Sequence, residues 1–115
     1  MDALRIYIAG PYTAPTLADV TANVERAIDA GLAVWQKGHW PYIPHLTHWI
    51  DQRAQARELS ITYDDYLALD MAWLRCCHAL LLLAHSPGAN RELAQATALR
   101  LRIFHTIEEI PTRFS

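Results

Sequence analysis

The chain has 115 residues, 52% of them hydrophobic and 19% charged, with a formal net charge of −2. Such a composition excludes a disordered chain and supports one hydrophobic core, hence a single domain over 1–115. No basic excess draws in nucleic acid, and no apolar run is long enough to span a bilayer, so neither nucleic acid nor membrane is expected as a partner.

Leu4–Ala9 (LRIYIA) is apolar nearly throughout, as in a strand covered on both faces of a parallel sheet. Gly10–Pro15 reads as a loop from its Gly and Pro content. A helix is predicted from Asp19 to Lys37, capped by Asp19 and stopped by Gly38. Its apolar face comprises Val20, Val24, Ala27, Ile28, Gly31, Leu32 and Trp35. His39–Pro44 is a short extended segment, and His45–Ser60 is irregular or weakly helical. Tyr63–Cys77 reads as helical with a break near Asp70. His78–Ala84 (HALLLLA) is the clearest buried strand, followed by a helix over Gly88–Leu101, a last short strand at Arg102–His105 and one further turn. Strands alternating with helices predict an α/β three-layer sandwich around a mostly parallel sheet of four to five strands.

The N-terminus lacks the basic and apolar regions of a signal peptide. The cysteines, Cys76 and Cys77, are adjacent, which suits neither an ordinary structural disulfide nor a metal-binding spacing. A cytoplasmic location is expected. Trp35, Trp40, Trp49 and Trp73 are mostly core candidates, with Trp40 and Trp49, like Tyr63 and Tyr66, also placed to stack on a flat base.

In an open α/β sheet ligands bind beyond the carboxyl ends of the strands. That rule selects Gly10–Thr13, Pro44–Asp51 and His85–Glu92. Gly10 leaves room for a turn or a ligand, and Tyr12 offers a ring and a hydroxyl. Ser86 precedes a helix N-terminus with Gly88 just inside it, so it is either a plain N-cap or a contact for a ligand phosphate or hydroxyl. Glu92 lies about one turn into that helix, where the dipole favours a carboxylate; it is a first-turn Glu or an ionised nucleophile. Asp70 sits in the apolar context LALDMAWL, which raises a carboxyl pKa and suits a proton donor; a helix N-cap is the other reading. Together they offer an acid and a nucleophile of the kind that breaks glycosidic bonds. His45, His48 and Asp51 have a His-x-x-His-x-x-Asp spacing, but a His-lined polar pocket is preferred to a metal site. No metal and no cofactor are expected.

Three stretches, IYIAGPYT, DMAWLRCCHALLLL and SPGANRELAQA, resemble in order the nucleoside 2-deoxyribosyltransferase superfamily, which includes nucleoside 5′-monophosphate N-glycosidases. The resemblance runs from about Ile6 to Ile103, and its most specific elements are Ser-x-Gly-x-x-x-Glu after an apolar strand and Asp-x-x-Trp-Leu upstream. It implies a flavodoxin-like sheet and a homo-oligomer, dimer or tetramer, whose site a neighbouring chain partly closes. It implies a small-molecule nucleoside or nucleotide as partner. It makes Glu92 the nucleophile at the anomeric carbon and Asp70 the group that protonates or orients the base. Ser86 then contacts a 5′ phosphate, and Gly10 and Tyr12 line the sugar pocket. His78 stands where many relatives carry Asp.

Overall fold

The computed structural model describes residues 1–114. Four strands, β1 (Arg5–Ala9), β2 (Trp40–Tyr42), β3 (Ala79–Leu82) and β4 (Arg102–Phe104), form one sheet in the order β2-β1-β3-β4. Every pairing is parallel. The helices are α1 (Leu17–Gln36), α2 (Thr47–Ala56), α3 (Tyr63–Leu74) and α4 (Pro87–Ala98). A three-layer α/β sandwich with a flavodoxin-like sheet is thus the architecture.

The alternation in β1 divides the core between the two faces of the sheet. Ile6 and Ile8 face α1 with Ala27, Ala30, Val34, Ala79, Leu81, Phe104 and Ile110. Tyr7 and Ala9 face the other side with Leu74, Leu80, Leu82, Ala89 and Ala96, under α3 and α4. Burying one such aliphatic side chain contributes about 1.5–3 kcal/mol, so helix stripes and sheet faces hold each other in place.

α1 is capped by Thr16, whose hydroxyl accepts from the backbone N–H of Asp19 at 3.1 Å; Asp19 is therefore not the cap. Its buried stripe is Val24, Ala27, Ala30, Gly31 and Val34. Leu32 and Trp35, expected on that face, are exposed, because each follows a buried residue by one position, about 100° round the helix. At Gly31 a Cβ would lie 2.4 Å from Ile43, so the helix approaches β2 only because no side chain intervenes. α2 is a regular ten-residue helix within the stretch read as irregular or weakly helical. α3 runs unbroken through Asp70 to Leu74, opened by a capping box of Thr62 and Asp65. All four tryptophans are more than half exposed, which overturns their assignment to the core.

Two histidines fasten backbone. His39, fully buried, accepts from Leu4 N–H at its Nδ1 (3.0 Å), and its Nε2 faces the Pro111 carbonyl at 2.6 Å. His78 Nδ1 accepts from Arg5 N–H at 2.9 Å. Among the described residues no helix is long and apolar enough to cross a membrane.

Candidate active site

Two tyrosines on neighbouring strands bring Glu92 and Asp70 together. Tyr7 on β1 and Tyr42 on β2 are register partners, so both side chains stand on the same face, with ring centroids 5.4 Å apart. A buried phenol needs a hydrogen-bond acceptor. Tyr7 donates to Glu92 of α4, and Tyr42 donates to Asp70 of α3 at 3.3 Å. Each carboxylate occupies an inward position of its helix. Leu67, Asp70, Met71 and Leu74 form one stripe of α3, and Ala89, Glu92, Leu93 and Ala96 form one stripe of α4.

Burial dominates the electrostatics. It raises Asp70 to about 6, against the opposing hydrogen bond from Tyr42. It raises Glu92 to about 7; the charge of Asp70 adds to the rise, while the Tyr7 hydroxyl and Arg91 oppose it. Glu92 was expected to be held ionised by the helix dipole. It lies beyond the first turn, where that field has faded, and desolvation wins. Both tyrosine hydroxyls are pushed well above their ordinary value, by burial first and then by these carboxylates.

The two acids open into a cavity of about 690 Å³, a size that suits a small organic ligand. Gly10, Tyr12, His45, Ser86 and Gly88 also line it, so the structure gathers all seven candidate residues around one space. Their local roles differ from those expected. Ser86 is the N-cap of α4, its Oγ accepting from Ala89 N–H at 3.0 Å. A Cβ on Gly88 would meet nothing within 4 Å, so neither packing nor backbone strain requires glycine there. A Cβ on Gly10 would come within 3.1 Å of Leu83, so Gly10 serves close packing as well as the loop. His45 is buried; its Nε2 donates to the carbonyls of Gly10 and Pro11, both at 3.1 Å, which clamps the first loop to the segment after β2. Burial lowers its pKa, and the two carbonyl bonds oppose that shift.

α2 and α3 supply a polar wall. Tyr12 OH meets His48 Nδ1 at 2.9 Å, and His48 Nε2 meets Gln52 at 3.2 Å. Asp51 accepts from Tyr66 OH (2.9 Å) and from Gln55 Nε2 (2.8 Å). His45, His48 and Asp51 thus have separate partners, and among the described residues no group of three His, Cys, Asp or Glu is placed to hold a metal ion. Tyr63 and Tyr66 line the cavity, whereas Trp40 and Trp49 do not. Burial pushes the Cys77 thiol up to about 11, which disfavours a thiolate nucleophile.

Sequence reasoning missed Tyr7, Tyr42, Gln55 and Arg91. A hydroxyl inside the otherwise apolar LRIYIA was the available signal for Tyr7, since that oxygen must find a partner. Arg91 lines the cavity and lies against the ring and hydroxyl of Tyr63. Among curated proteins, none matches the chain. Residues 4–106 match the family described as a domain of unknown function (DUF7768), and the chain belongs to that family.

Proposed function

We propose that this protein cleaves or transfers at the N-glycosidic bond of a deoxynucleoside or its 5′-monophosphate. The observation that carries the reading is the pairing of Glu92 and Asp70, two half-buried carboxyls with raised pKa facing one cavity, each held by a tyrosine of the sheet. The ordered resemblance to the nucleoside 2-deoxyribosyltransferase superfamily supports the same assignment.

In the reaction, a Glu92 carboxylate oxygen bonds to C1′ as the C1′–N bond breaks. The bonding pair leaves with the base, and Asp70 delivers a proton to the departing nitrogen. The positive charge that develops on the sugar lies between the two acids. Water, giving its proton back to Asp70, then opens the glycosyl ester and frees Glu92; a second base attacking C1′ gives transfer instead. No cofactor enters these steps.

The working form needs Glu92 ionised and Asp70 protonated. Both carboxyls are raised, Glu92 to about 7 and Asp70 to about 6, so between these values the pair shares a single proton. Activity therefore forms a bell with limbs near these two values. Below it the nucleophile is protonated, and above it the pair has no proton to give. The test is incubation with deoxynucleosides and their monophosphates from pH 5 to 9, with released base read by chromatography. Base release with a bell-shaped profile, lost in Glu92→Gln, is expected. Binding without release would make the protein a nucleotide-binding module, and undiminished turnover by Glu92→Gln would remove the nucleophile.

A further inference from the structure

Asp51, Gln55 and Tyr66 form a second polar group in the cavity that the steps above do not use. We infer that this group reads the departing base and, between bases that differ by amino against oxo at one ring position, selects the amino member: cytosine over uracil and adenine over hypoxanthine. The inference rests on the proposed reaction for its substrate class.

Position comes first. The segment after β2 leads directly into α2, which carries Asp51 and Gln55, and Asp70 is bonded to Tyr42 of that same strand. Glu92 is bonded to β1, one strand further in, and the N-terminus of α4 follows β3 beyond it. A sugar between the two acids therefore directs its base towards α2 and α3 and its 5′ end towards α4.

Chemistry comes second. Each Asp51 oxygen accepts one hydrogen bond, Oδ1 from Tyr66 and Oδ2 from Gln55, one turn away on the same helix. A carboxylate has about four acceptor sites, so a lone pair on each oxygen stays open while the two bonds fix the group. No cation pairs with Asp51 among the described residues. The cavity as a whole holds three carboxyls, Asp51, Asp70 and Glu92, against one guanidinium, Arg91, which is engaged with Tyr63. Such a lining demands donors. An exocyclic NH₂ meets an open lone pair of Asp51 with a hydrogen bond, whereas a carbonyl oxygen in its place sets lone pair against lone pair and finds no donor there. Sites built around a substrate N–H reject the analogue lacking it far more strongly than apolar pockets reject a change of shape.

The experiment compares matched pairs, deoxycytidine with deoxyuridine and deoxyadenosine with deoxyinosine, in wild type and Asp51→Asn, by kcat/KM for base release. The amino member is expected to be favoured by at least about tenfold in each pair, and Asp51→Asn to reduce that ratio to about threefold or less. Equal rates in wild type, or an unchanged ratio in the variant, would overturn the inference and leave the glycosidic reaction standing. The free bases cytosine, uracil, adenine and hypoxanthine are titrated calorimetrically in parallel. Tighter binding of the amino bases, lost in Asp51→Asn, without any turnover would retain the inference and remove the reaction. No preference in either readout would remove this inference. Gln55→Ala, which keeps the carboxylate but releases one of its holds, is expected to reduce the ratio by a smaller factor than Asp51→Asn.

Discussion

Replacing Glu92 by glutamine is expected to stabilise the fold, and only above the ordinary range of a carboxylic acid. In the folded chain this carboxyl titrates at about 7, against an ordinary value of 4.5. A folded-state pKa raised above the unfolded one means that the unfolded chain releases the proton first. Stability is therefore unaffected below about 4.5, falls as pH rises from there to about 7, and stays reduced beyond. At 1.4 kcal/mol per pH unit this interval corresponds to about 3 kcal/mol lost at pH 8. Glutamine keeps the shape and an oxygen for Tyr7 but carries no charge to desolvate. Urea denaturation at pH 8 is expected to show Glu92→Gln more stable than wild type by about 2–3 kcal/mol, with the difference gone at pH 4.5. Equal stabilities at pH 8, or the same gain at both pH values, would refute the argument that burial of this charge is what raises its pKa.

Tyr7→Phe removes a hydrogen bond to the ionised form of Glu92; such bonds contribute about 1.5–3 kcal/mol. The alkaline limb of the pH–rate profile is expected to move up by about 1–2 pH units, with a lower maximum. A profile unchanged in position would mean that the phenol does not act on the carboxyl. Gly88→Ala places a methyl where nothing lies within 4 Å. It is expected to leave the fold unchanged or more stable by up to about 1 kcal/mol, while raising KM several-fold because the methyl stands over the cavity. A KM equal to wild type would show that the ligand does not approach the start of α4.

The sheet and its connections were legible because β1 and β3 are continuous apolar runs and the loops carry their own Gly and Pro signals. The site's location followed from topology, since the three loops at the carboxyl ends of the strands do converge. Asp70 stood out as an acid in the apolar context LALDMAWL, and Glu92 as an acid near the start of the helix that follows the clearest strand. What the sequence did not reveal was long-range. Nothing local distinguishes a tyrosine that fills space from one whose hydroxyl ends on a carboxylate 85 residues away, as Tyr7 does. Asp51 was weighed as a metal ligand and as the end of the second ligand-facing stretch, without partners, because Tyr66 and Gln55 acquire meaning only once α2 and α3 face one cavity. The tryptophans misled because their spacing was read as that of a core face, while the packed stripe of α1 is built largely from Ala, Gly and Val one position away from Trp35.

His39 lies outside the cavity, yet it bears on where Asp70 points. β2 is an edge strand of three residues with Pro41 at its centre, so it has few backbone bonds with which to define its own alignment. The imidazole stitches Leu4 to the Pro111 carbonyl immediately before that strand begins. Sliding β2 by a single residue would turn Tyr42 to the opposite side and strand Asp70 without its donor. The alignment of a three-residue strand, and with it the poise of one acid, is thus tethered through a single imidazole to Pro111, whose neighbour Ile110 is itself packed in the core, so that this segment serves the interior and the chemistry at once.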